Sequence, residues 1–200
     1  RVAQFDPQVC SDSSMRATQT LTRLTFTGPD GTEFELRDRQ TDGAPAGVGI
    51  CETTGFNRGR IFVTSDGSAA TFISDQAITD YIYMPAGSND LFYPSGDLLL
   101  RDGTRFRIDA GVVSWLRDRN GNKMTFTYDS FKRMTVAKDS LNREVTVSYA
   151  TSSIAYDEII YKGFGGASRS MRVNYGYLQD PGVLRSGYSV QTYQQLFPEV

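Results

Sequence analysis

The sequence predicts an all-β chain of consecutive antiparallel β-hairpins, and three observations predict it. Apolar and polar residues alternate with period two over short stretches. Those stretches are separated by Asp-Gly, Asn-Gly and similar turn pairs. The 200 residues include 12 Phe, 11 Tyr and 19 Gly, a composition suited to pleated surfaces joined by tight reversals. Aromatic and branched side chains pack well on a sheet, and glycine supplies the positive φ that tight turns need.

Residues 1–20 are polar and read as an irregular N-terminal arm. Alternation begins at Leu21 and runs to Thr27, pauses at Gly28-Pro29-Asp30-Gly31, and resumes through Thr32, Glu33, Phe34, Glu35 and Leu36, which predicts a hairpin. The arrangement returns on either side of Asp66-Gly67, with Ile61 to Thr64 before it and Ala70 to Ile73 after it. It returns again around Asp102-Gly103, between Leu98-Leu99-Leu100 and Thr104 to Ile108. Residues 21–110 therefore form a hairpin region, interrupted near residues 40–60 by a Gly-rich loop carrying Asp42-Gly43, Ala44-Pro45, Gly47, Gly49 and Gly55.

Residues 111–128 and 132–149 align with each other on a shift of 21. The shift matches Asp118 with Asp139, Thr125 with Thr146 and Tyr128 with Tyr149, and sets Asn120-Gly121 against Leu141-Asn142 at the turn. Repetition of this kind marks an array in which each unit buries its apolar face against its neighbours. Each marked residue has a folding role. Asp118 and Asp139 precede reversals, where a short carboxylate accepts backbone N–H groups two residues on. Gly121 and Asn142 tolerate left-handed backbone. Tyr128 and Tyr149 end strands, where a ring covers the edge of the next unit. Residues 150–200 read as a further hairpin around Gly163-Phe164-Gly165-Gly166, followed by an ending without a closing strand, which predicts continuation beyond it.

This stretch resembles the YD repeats of RHS proteins. Asp118-Arg119-Asn120-Gly121-Asn122 and Tyr128-Asp129-Ser130-Phe131-Lys132-Arg133 match one unit, with Lys132 in place of the glycine that usually precedes the arginine. The unit from Asp139 to Tyr149 departs further, with Asn142 where glycine is usual and Ala150 after Tyr149. The resemblance covers residues 111–149. It implies a β-hairpin array forming part of a shell, tube or assembly scaffold in a secreted or cell-surface protein. The rest of a larger parent chain, or neighbouring copies, would cover the strand edges. Some members enclose a toxic domain, some act in adhesion and some are associated with carbohydrate. The family's Asp-rich autoproteolytic motif has no counterpart here.

Composition excludes several chemistries. The formal net charge is −2 with cations and acids interspersed, so there is no footprint for nucleic acid. No apolar run reaches the roughly 18 residues of a membrane span, and residues 1–7 lack the apolar core of a signal peptide, as in a soluble, already processed chain. Histidine is absent, so Ser65, Ser114 and Cys51 have no imidazole to activate them. Cys10 and Cys51 are either a disulfide tying the arm to the first strands or two buried thiols.

Asp129 with Asp139, or Asp157 with Glu158, are pairs of the type used in glycoside hydrolysis, but acids beside turns are usually caps. Asp118, Asn120 and Asn122 alternate as in calcium loops but lack the distal glutamate. The sequence therefore predicts no catalytic residue, metal site or cofactor. The remaining candidates are aromatic faces for sugar stacking, Trp115, Tyr81, Tyr83, Phe92 and Tyr93.

Overall fold

The structure is a computed structural model that describes residues 2–84, 93–178, 180 and 182–198. Its strands are β1 (Val2–Val9), β2 (Met15–Thr27), β3 (Glu33–Asp38), β4 (Ala46–Gly47), β5 (Asn57–Thr64), β6 (Thr71–Thr79), β7 (Tyr83–Met84), β8 (Gly96–Leu99), β9 (Arg105–Asp109), β10 (Val112–Arg117), β11 (Lys123–Tyr128), β12 (Met134–Asp139), β13 (Glu144–Ser148), β14 (Tyr156–Lys162) and β15 (Ser168–Asn174). A one-turn 3₁₀ segment (Phe164–Gly166) and a four-residue helix α1 (Tyr193–Leu196) complete the described elements. The chain is all-β, and each strand pairing is antiparallel.

The chain divides into two compact units, Arg1–Asn142 and Arg143–Val200. In the first, β2 is the junction. Its first half pairs with β1 along one edge and with β4 and β7 along the other, and residues 23–27 pair with β3. From β3 the ladder runs through β5, β6, β8, β9, β10 and β11 to β12. Register places Phe62, Phe72, Leu98, Phe106 and Leu116 directly side by side on five strands. Side chains two apart share a face, so Leu24, Leu36 and Ile108 join this row in one core cluster. Phe62 and Leu98 are fully inaccessible and Phe72 is 1% exposed. Burying each such side chain contributes about 1.5–3 kcal/mol.

Residues 1–20 correct the expectation of an irregular arm, because β1 and the start of β2 form a hairpin there. The hydrophobic period is missing since the inward positions are polar: Arg16 is 6% exposed, and Thr20 and Thr22 are fully buried. The expected loop at residues 40–60 is likewise shorter than anticipated. It contains the two-residue strand β4, and β5 begins at Asn57. The break between units falls at Asn142, inside the second repeat, instead of at residues 110 or 149.

The second unit holds β13, β14 and β15 in sequence order. Register sets Val145 beside Tyr161, Val147 beside Ile159 and Met171, and Val173 beside Asp157, so one face collects the apolar side chains. None of its described residues is buried.

Candidate functional site

One local device recurs along the chain. In residues 10–14, 28–32, 100–104, 118–122, 129–133 and 163–167, the first N–H donates to the fifth carbonyl and the fourth N–H donates to the first carbonyl. The fourth residue is left-handed in each: Ser13, Gly31, Gly103, Gly121, Lys132 and Gly166. In five of the six this is a type I turn closed by a bulge, a three-residue hairpin loop; in residues 163–167 Gly165 is at positive φ as well, the conformation of a type II turn. Asn142 is left-handed too, with its N–H donated to Asp139 O. Aspartates lock these loops from two positions. Asp118, Asp129 and Asp139 stand first and accept the N–H of Asn120, Phe131 and Leu141. Asp12, Asp30 and Asp102 stand third and accept the N–H of Ser14, Thr32 and Thr104. The Asn122 amide holds the Asp118 carboxyl below its ordinary pKa, and the Arg133 N–H does the same for Asp129.

Lys132 occupies the left-handed position where the YD pattern has glycine, at a cost of roughly 1–2 kcal/mol. Its ammonium group donates to Ala110 O at 2.8 Å and lies 3.9 Å from the centre of the Tyr93 ring. Glycine could supply neither contact. Tyr128 closes β11 and donates its hydroxyl to Val113 O at 2.6 Å; burial pushes its phenol pKa up. Tyr149, just past β13 in the second unit, is half-buried.

The most enclosed polar cluster of the first unit has no signature in the sequence. The guanidinium of Arg58 and the carboxylates of Asp38 and Asp80 are fully buried. Arg58 Nε donates to Asp80 at 2.9 Å, Nη1 to Asp38 at 3.2 Å, Thr41 Oγ1 at 2.8 Å and Ala44 O at 3.0 Å, and Nη2 to Thr20 O. The hydroxyls of Thr20 and Thr22 donate to Asp80 at 2.5 Å each. Asp38 also accepts the N–H groups of Gln40 and Thr41 and the Thr41 hydroxyl. Burial pushes the Asp38 carboxyl pKa up, but the Thr41 hydroxyl and N–H, Arg58 and Gln40 outweigh it and hold it below its ordinary value. Gly55 lets the loop cross this cluster, because a Cβ there would stand 1.7 Å from Asp80 O. Every polar group is satisfied, so the cluster fastens the 40–56 loop to β2 and β5 and offers no open position for a substrate.

The same loop is fastened a second time. Cys10 and Cys51 form a disulfide with Cα atoms 5.6 Å apart, and Arg16 Nη1 donates to the carbonyls of Cys51 and Glu52.

The aromatic candidates separate into three places. Tyr81 and Tyr83 form a pair with ring centres 5.8 Å apart, half-exposed beside Arg16. Tyr93 is 50% exposed under Lys132. Trp115 is part-buried on the face of β10 opposite Leu116, and so away from the core. Phe92 lies outside the described residues.

The candidate acids, Ser114 and Cys51 are engaged in local contacts, and Ser65 is exposed. Asp129 also pairs with Arg133 at 2.8 Å. Asp157 accepts Ala150 N–H and the Tyr175 hydroxyl, and Glu158 pairs with Arg172 at 3.0 Å. Ser114 Oγ donates to Asp109 at 2.5 Å. Gly163 opens a one-turn 3₁₀ segment that leads straight into β15, with no longer helix behind it to hold an anion. Among the described residues no group of three His, Cys, Asp or Glu side chains stands close enough to hold a metal ion, and no helix is long and apolar enough to cross a membrane. Compared with protein-family models, curated proteins and solved structures, the chain matches none.

Proposed function

We propose that this chain is a structural β-repeat segment of a secreted or cell-surface protein of the RHS or YD-repeat kind, one stretch of a shell, tube or assembly scaffold. The observation that carries this reading is the recurrence of one five-residue reversal, each time between sequence-adjacent strands where strands flank it, with Asp118 and Asp129 at its first position and Gly121 and Lys132 at its left-handed one, and with Asp139 and Asn142 in the same two places of a further turn. The conspicuous aspartates and glycines of the sequence are thereby consumed in folding. The Cys10–Cys51 disulfide supports an oxidising, extracellular setting. The outer edge of β15 has no strand beside it among the described residues, and such an edge recruits a further strand from the parent polypeptide or a neighbouring copy.

Amide hydrogen exchange along β15 tests the reading, measured in the dilute chain, in the chain concentrated with its own copies and within its parent polypeptide. We expect rapid exchange of the outward amides in the dilute chain and protection in at least one of the other states. Equal, rapid exchange in all three would sink the scaffold role. A second reading, a carbohydrate-binding or adhesion module, is favoured by one specific observation: Trp115 faces away from the core among exposed cations.

A further inference from the structure

We propose that β15 pairs antiparallel with β15 of a second copy of this chain, centred on Met171, and that association stops at two copies; this rests on the scaffold reading and names the neighbour at its open edge. Among the described residues β1 and β15 each have one side without a strand, while β4 and β7 are two residues each and too short to seat one. The two long edges are built differently. In β1, Cys10 N–H donates to Ser14 O across the pairing with β2. Alternation then turns the backbone polar groups of Ala3, Phe5, Pro7 and Val9 outward. Pro7 has no N–H to give, and its ring fills the place where a donor is needed. Asp6 before it has φ +54°, which breaks the pleat. A strand laid along β1 meets this break at its middle, so the edge is closed to addition.

β15 carries no such break. Its seven residues, Ser168–Asn174, include neither proline nor glycine, and all are exposed. None has positive φ, and they pair with β14 without a shift of register. Gly163 N–H donates to Ala167 O at one end of this pairing and Tyr175 N–H to Ala155 O at the other. Ser168, Ser170, Arg172 and Asn174 therefore turn their N–H and C=O groups outward. This edge is complementary to itself. A two-fold axis at Met171, the middle of the strand, sets Ser168 against Asn174 of the second copy and Ser170 against its Arg172, each a pair that exchanges main-chain hydrogen bonds. Centring on Arg172 would set two like charges face to face, and centring on Ser170 would leave Asn174 past the end of the partner strand. Charge complementarity favours the same register. Arg172 keeps its own Glu158 at 3.0 Å. Arg169 has no carboxylate within ion-pair distance among the described residues. In the paired state it shares a row with Val173 and then Asp157 of the second copy, an acid within reach of a long side chain. The two Met171 side chains meet on the apolar face, where each covers part of the other.

Sedimentation velocity over a range of chain concentrations reads the association, and cysteine cross-linking reads its register. We expect a monomer–dimer equilibrium with no larger species. Met171 faces its own copy in a non-hydrogen-bonded pair, with Cα atoms about 4.5 Å apart, within the span of a disulfide. Met171→Cys should therefore cross-link into a dimer under mild oxidation. Val173→Cys alone should not, because its two copies stand about 13 Å apart, whereas a mixture of Arg169→Cys and Val173→Cys chains should. Ser170→Pro removes an outward N–H and sets a ring on the edge, as Pro7 does in β1, without touching a bond to β14. It should weaken the dimer about tenfold or more, with the circular dichroism of the parent as the check on its fold. A chain that stays monomeric at every concentration overturns the pairing with a second copy; the scaffold reading then stands if the outward amides of β15 are protected in the parent polypeptide, and falls as well if they exchange rapidly there. Species larger than two copies overturn the closure of β1. A dimer untouched by Ser170→Pro, or one that Val173→Cys cross-links as readily as Met171→Cys, overturns the register at β15.

Discussion

The strands β5, β6, β8 and β9 and the strands β13, β14 and β15 obey the same period-two rule and reach opposite ends. In the first group alternation sets Phe62, Phe72, Leu98 and Phe106 in one row, none more than 6% exposed. In the second it sets Val145, Tyr161, Met171 and Val173 on one face, where they are 37 to 58% exposed. An amphipathic pattern creates an apolar face but does not supply its cover, which must come from another layer or from further strands. The first unit supplies its own cover, because β2, β3, β5, β6, β8, β9 and β10 all contribute to one core cluster. Among its described residues the second unit has three strands to offer, and none of those residues is buried.

The largest effect that can break this contrast lies in the buried ion cluster. Arg58→Leu leaves Asp38 and Asp80 buried without their shared cation, and removal of one partner of such a group costs about 3–5 kcal/mol. The midpoint of urea unfolding should fall accordingly; a midpoint within error of the parent would show that the cluster is not closed. Acid should act on the same place. Asp38 has a folded-state pKa below its unfolded one, so its contribution is present above the unfolded value near 4 and is lost as pH falls through the lower folded value. Melting measured from pH 6 down to pH 2 should therefore drop mainly below about pH 4. In Asp38→Asn this part of the drop should shrink.

A smaller effect sharpens the reading of the turns. Gly121 has φ +93° and nothing within 4 Å of an added Cβ, so space is not what keeps glycine there. Gly121→Val should still destabilise by roughly 1–2 kcal/mol, from backbone strain in a branched residue. Lys132→Gly in the neighbouring reversal relieves the same strain but forfeits the Ala110 and Tyr93 contacts. Thermal melting of both variants, read side by side, separates the two terms. If Gly121→Val melts like the parent, the reversal does not depend on left-handed backbone.

How far the sequence reaches can be seen at particular residues. The strands at residues 21–27, 61–64, 104–108 and 123–128 were legible because apolar side chains stand at alternate positions in them, Leu24 and Phe26, Ile61 and Val63, Phe106 and Ile108, Met124 and Phe126. The 21-residue shift sets Asp118 with Asp139 and Gly121 with Asn142, and in both places the carboxylate accepts the N–H two residues on and the residue three on is left-handed. Asp66-Gly67 shows the limit of the dipeptide itself. There the loop runs longer, Thr64 N–H donates to Ala70 O, and Ala69 is the left-handed residue in place of glycine. The hairpin formed by β1 and β2 was illegible because its inward side chains are Arg16, Thr20 and Thr22. The Arg58 cluster was illegible because its members come from positions as much as 60 residues apart, with no spacing rule to link Thr20 to Asp80. Trp115 was recognised as a candidate from its ring alone. The cations beside it, Arg105, Arg117 and Lys123, required strand register, which turns three scattered positive residues into neighbours.

The smallest expected effect tests the uncovered face. Met171 is 58% exposed at the centre of the apolar face of β15, between the rows of Tyr161 and Asp157. Met171→Ser removes little buried area in the chain alone, so its melting temperature should move by no more than an exposed substitution does, within about 0.5 kcal/mol. By contrast, Phe62→Ala in the covered core should cost about 3–5 kcal/mol. On the proposed scaffold role a parent polypeptide or neighbouring copy covers this face, and the same Met171→Ser change should then cost more in that setting than in the isolated chain. An equal, small effect in both settings would mean that this face stays open, and that the amphipathic pattern of β13 to β15 serves something other than a second layer.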